Sequence, residues 1–179
     1  LKVCTVGSIN TVVGSGAGQA INSGYGNSLL GYQAGAALTT QMYTVAIGAN
    51  ALSTAVAAGD YSTAVGYASM LGLTSGTNNS ALGAYAGRYI ADGATANATC
   101  NNSVFIGNST KAQASAQTNQ NVFGYNAVGL GSNSSVIGNS SVTVFKAFGT
   151  PIFTPGASFT PTANGELSME ATSNTSVTF

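Results

Sequence analysis

Eight times along the chain two apolar residues run directly into a glycine, with polar residues ahead of the pair in most copies. The copies are Asn10-Thr-Val-Val-Gly14, Asn27-Ser-Leu-Leu-Gly31, Thr44-Val-Ala-Ile-Gly48, Ser62-Thr-Ala-Val-Gly66, Asn79-Ser-Ala-Leu-Gly83, Ser103-Val-Phe-Ile-Gly107, Gln120-Asn-Val-Phe-Gly124 and Ser134-Ser-Val-Ile-Gly138. The steps between glycines are 17, 17, 18, 17, 24, 17 and 14 residues. A near-constant period of this length marks one supersecondary unit stacked on itself. Glycine recurs too densely for helices, and Val, Ile, Thr and Asn are poor helix formers. The pattern therefore predicts an all-β solenoid of about eight coils over residues 1–149, each coil carrying one short strand. At the usual inter-strand spacing the stack should run about 40 Å.

Adjacent strand residues point to opposite faces. The position before each glycine is large and apolar (Val13, Leu30, Ile47, Val65, Leu82, Ile106, Phe123, Ile137). The position two before it is also apolar, with several alanines. Both faces of each strand thus need cover. We expect the larger row to fill each coil and the smaller row to meet the same element of partner chains around a rotation axis, as in a homotrimer. The glycine suits a corner with positive φ or a close backbone approach. Three residues beyond it every copy is small, from Ala17 to Ser141. Polar turns such as 22–26 and 74–78 bring each coil back. The long step places about seven extra residues within 91–100, which should form a protruding loop.

The repeat ends near Gly149, and all three prolines lie beyond it. Residues 166–171 alternate, and a turn and a second strand follow. We read 150–179 as the beginning of a small C-terminal β module, with more polypeptide following it in the natural protein.

Composition narrows the partners. Only 4% of the residues are charged and the net charge is zero, which does not suit nucleic-acid binding or docking on anionic lipid. No apolar run approaches a membrane span. Histidine is absent, and with it the commonest general base and zinc ligand. The four acids, Asp60, Asp92, Glu166 and Glu170, show no spacing suited to a glycosidase pair. Gly14-Ser-Gly-Ala-Gly18 lacks the lysine and helix of a nucleotide loop. We expect no enzyme activity, no cofactor and no metal. Cys4 and Cys100 fall several coils apart, too far for an intrachain bridge; free buried thiols are the plain reading, and a bridge to another subunit is the alternative. The candidate surface-contact residues are Tyr32, Tyr67 and Tyr125, each just after a glycine, and Asp92 in the inserted loop. Exposed rings can stack on sugars or anchor a protein, or simply cover a coil edge as a ladder. Asp60 and Asp92 also suit turns.

Segments such as Ser62-Thr-Ala-Val-Gly-Tyr-Ala68, Asn79-Ser-Ala-Leu-Gly-Ala-Tyr-Ala86 and Asn102-Ser-Val-Phe-Ile-Gly-Asn-Ser-Thr-Lys-Ala112 resemble the repeats of phage tail fibres and tailspikes. They are also similar to the heads of trimeric autotransporter adhesins. Residues 102–141 are most similar to fibre segments often found upstream of an intramolecular chaperone peptidase, which these residues do not include. The resemblance implies a homotrimeric left-handed β-roll on a virion. Its partners would be other tail proteins and a host-surface glycan or protein. The alternative it leaves is a bacterial surface adhesin, whose coils are usually shorter than 17 residues.

Overall fold

A computed structural model describes residues 8–55 and 57–142; Cys4 and the expected C-terminal module at 150–179 lie outside them. The described chain forms no helix. Its principal sheet has eight parallel strands in the order β1, β2, β3, β5, β7, β9, β11, β12. These are β1 (Thr11–Val13), β2 (Ser28–Leu30), β3 (Val45–Ile47), β5 (Thr63–Val65), β7 (Ser80–Leu82), β9 (Val104–Ile106), β11 (Gln120–Phe123) and β12 (Ser134–Ile137). Sequence neighbours pair in register, so each turn of chain advances one strand. The eight strands bound seven turns of a parallel β-solenoid, about 34 Å along the ladder.

Short strands on a second side add further ladders. There β4 (Ala57–Ala58) pairs with β6 (Ser75–Gly76), and β8 (Cys100–Asn101) with β10 (Gln117–Thr118). A bridge from Ser75 to Thr99 joins the two pairs.

The repeated glycines meet both expectations. All eight have φ between +87° and +134°. They also stack: a Cβ on Gly31 or Gly83 would come within 2.7 Å of the next coil's glycine carbonyl carbon. Two further positions recur as left-handed in nearly every coil, and a third, four residues after the glycine, does so in five (Gly18, Gly35, Leu52, Met70 and Gly87). Of the first two, one lies five residues before the glycine, at Tyr43, Tyr61, Asn78, Asn102, Asn119 and Asn133. The other lies two residues after it, at Gln33, Asn50, Ala68, Tyr85, Ser109 and Asn126. Each costs roughly 1–2 kcal/mol for a non-glycine residue, so only contacts with neighbouring coils hold the path.

The interior differs from expectation in one respect. The row two before the glycine points inward: Leu29, Ala46, Ala64, Ala81, Phe105 and Val122 are all buried. The larger row points out, with Leu30 49% and Leu82 53% exposed against 1% and 2% for their neighbours Leu29 and Ala81. The reason is shared volume. Each coil also buries residues from its far side, among them Leu38, Leu52, Met70 and Leu73. The small residues three beyond the glycine, Ala34 to Ala127, pack between coils as expected.

A buried polar ladder runs beside this core. Asn27, Thr44, Ser62, Asn79, Ser103 and Gln120, each four residues before its glycine, are enclosed. The left-handed residue ahead of each turns the amide out of the regular ladder; the Ser62 amide donates to the Gly59 carbonyl at 2.8 Å, and in the other five a side-chain oxygen of the preceding coil accepts it. Asn10 Oδ1 accepts from the Asn27 N–H at 2.9 Å, and Asn27 Oδ1 from the Thr44 N–H at 2.9 Å. Ser62 Oγ accepts from the Asn79 N–H, Asn79 Oδ1 from the Ser103 N–H and Ser103 Oγ from the Gln120 N–H, at 3.1–3.2 Å. Pairing of this kind offsets the cost of burying polar groups; at the end of the ladder Gln120 Nε2 is buried without a partner among the described residues.

Candidate functional site

The inserted residues leave the coil as a hairpin. Tyr89 bridges Ala96 in antiparallel sense, and the Asn97 N–H returns to the Arg88 carbonyl at 2.9 Å. Residues 91–96 are exposed, as the long step predicts. Asp92 closes the tip. Its Oδ1 accepts the amides of Ala94 and Thr95, each at 2.8 Å, and its Oδ2 the Thr95 hydroxyl at 2.5 Å. The Thr95 hydroxyl, then the two amides, hold the Asp92 carboxyl below the ordinary carboxylate range. Asp92 is thus exposed, but its carboxylate serves the turn.

At the hairpin base lies a shallow groove of about 560 Å³ crossing successive coils. One wall is aromatic: Tyr67 and Tyr85 meet edge to face with centroids 5.2 Å apart. The Arg88 guanidinium lies 4.6 Å from the Tyr89 ring centroid and 5.2 Å from that of Tyr85, within cation–π range. The other wall carries Ser109, Lys111 and Asn126, with the Lys111 ammonium donating to Asn126 Oδ1. Gly93 of the hairpin sits over the Lys111 stem. Burial, then the neighbouring Tyr67, raises the Tyr85 phenol above its ordinary value, so it is a neutral donor at physiological pH.

The expected contact tyrosines do not converge. Tyr67 lines the groove, whereas Tyr32 and Tyr125 are exposed but outside it. A separate aromatic ladder precedes the strands: Tyr25 meets Tyr43 edge-on at 5.1 Å, and Tyr43 stacks on Tyr61 at 5.6 Å. Asp60 beside it accepts the Met42 amide at 2.9 Å, as a turn residue does. Sequence reading did not single out Arg88, Tyr85, Tyr89 or Lys111. The available signal was charge: in a chain so poor in cations, two of the four fall on either side of the one insertion.

No family model, curated protein or solved structure matches this chain. Its chemistry rests on its own residues. Among the described residues no group of three metal-ligating side chains gathers. Cys100 is a buried free thiol, pushed up to about 12 by burial.

Proposed function

We propose that this chain is a homotrimeric structural segment of a phage tail fibre or tailspike that supports attachment to a host surface. The observation that carries the reading is the outward row Val13, Leu30, Ile47, Val65, Leu82, Ile106, Phe123 and Ile137. It presents an aliphatic or aromatic side chain at every coil of the principal sheet. Isolated exposed apolar residues are ordinary, but a continuous row is an interaction surface.

A second copy is the occupant because the row repeats with the coil. Under a rotation axis parallel to the stack, each coil faces its own equivalent, and the patch matches itself along its length. A small apolar dent of about 160 Å³ between Val65, Leu82 and Ile106, rimmed by Thr63 and Ser80, gives a knob somewhere to seat. Burying the exposed half of each such side chain is worth on the order of 1 kcal/mol. The repeat resemblance supports the virion setting, and multivalent display on a trimer would raise avidity without a deep single site.

Sedimentation equilibrium tests the assembly: the full chain should run at three times its monomer mass. Because Leu82 faces outward, Leu82→Asp should keep the β-sheet circular dichroism and lose the trimer. A wild-type monomer, or an intact trimer in the variant, rules the reading out.

A further inference from the structure

We propose that the groove at the base of the inserted hairpin binds an acidic saccharide, a sugar residue carrying a carboxylate. The proposal rests on the attachment reading for its biological setting and goes beyond it in naming a site and a ligand class.

Charge placement is the first argument. The described residues contain two cationic side chains, Arg88 and Lys111, and both line this one groove. Neither is paired with a carboxylate among the described residues. The nearby acid, Asp92, is satisfied within its own turn. A solenoid that keeps itself in water with Ser, Thr, Asn and Gly does not need two cations lining one groove for solubility. Their chemistry is also complementary. The Arg88 guanidinium lies within cation–π range of two rings, contacts that leave its N–H fork able to meet a carboxylate with two parallel bonds. Lys111 has one donor engaged by Asn126 and two more to offer.

Ring and polar placement select the rest of the ligand. Tyr67 is 48% exposed and buttressed by Tyr85, so it presents an apolar face that can cover the C–H side of a pyranose. Ser109 and Asn126 on the opposite wall supply partners for hydroxyls. Two cations are too few for a phosphate backbone, which needs an array. The groove volume lies within the range of small-ligand sites.

Isothermal titration of the full chain with trigalacturonate tests this. Saturable binding is expected. The fully methyl-esterified trisaccharide, which keeps the rings and removes the charge, should bind at least about tenfold more weakly. Arg88→Gln and Lys111→Met should each weaken trigalacturonate by a similar factor, and Tyr32→Ala should leave it unchanged. If Arg88→Gln disturbs folding through its ring contacts, Lys111→Met carries the test. The proposal is overturned by absence of saturable binding, by equal binding of the ester, or by triglutamate or inorganic phosphate competing as well as the sugar acid. Sedimentation of the same samples reports assembly separately, so a failed trimer and a failed site are distinguishable.

Discussion

Core volume is traded between two positions of the same or the adjacent coil. Leu29 and Phe105 are large, and glycine stands beside each. A Cβ on Gly35 would meet Leu29 Cδ2 at 3.0 Å, and one on Gly87 would meet Phe105 Cδ2 at 2.9 Å. Where the inward strand residue is Ala46 or Ala64, the position equivalent to Gly35 is Leu52 or Met70, fully buried despite a φ of 48°. Ala46→Leu alone should therefore overpack its coil and cost about 1–3 kcal/mol. Leu52→Gly alone should leave a cavity costing about 2–5 kcal/mol, less the left-handed strain it relieves. The double variant should lose distinctly less than the sum, and urea denaturation of the cycle checks it; strict additivity would show that the two side chains do not share space. This trade explains why the sequence did not reveal which apolar row faces in. Both rows are apolar, and size misleads when the interior is filled partly from the far side of the coil by residues whose counterparts are glycines. Cys100 belongs to the same interior. With its thiol protonated at neutral pH, iodoacetamide at pH 8 should label it only after unfolding, as read by peptide mass mapping.

Each strand of the principal sheet is three or four residues long, too short to stand without its neighbours. The polar ladder fixes how successive strands enter the sheet. Asn79 occupies the middle of it, accepting the Ser103 amide at 3.1 Å and donating to the Cys100 carbonyl at 2.8 Å. Asn79→Ala leaves both groups buried and unpaired, and should cost about 1–3 kcal/mol in chemical denaturation. Ser103→Ala should act in the same direction, because Ser103 Oγ accepts the Gln120 amide. At this scale much was legible. The apolar pair located every strand of the principal sheet, the glycine located one corner of every coil, and the 24-residue step located the hairpin. The polar residue four before each glycine was visible as a preference, but its inward direction was not. That direction depends on the left-handed residue just ahead of it, and at Tyr43 or Tyr61 nothing in the side chain announces such a backbone.

Across the solenoid the groove shows why the candidate site was only partly legible. Tyr67 was placed by its repeat position. Tyr85, Arg88 and Lys111 come from other positions of neighbouring coils, so a comparison of equivalent positions could not assemble them. Their meeting is a product of stacking, which sets side by side residues 18 to 44 positions apart, from Tyr67 to Lys111. The outward apolar row has the opposite character: it is one position read down all coils, and two apolar strand faces, though not which of them points out, were legible in the repeat.

The in-register pairing from one coil to the next has a consequence for reach. Each coil bonds to the coil before and the coil after by the same pattern, and the prevailing step is 17 residues. Duplicating or deleting one such unit would shift everything beyond it by about 4.8 Å along the stack. It would also add or remove one outward apolar side chain in the same stroke. The distance this chain spans is therefore an adjustable gauge, and the hairpin with its groove is a fitting that can be carried nearer or farther without being rebuilt.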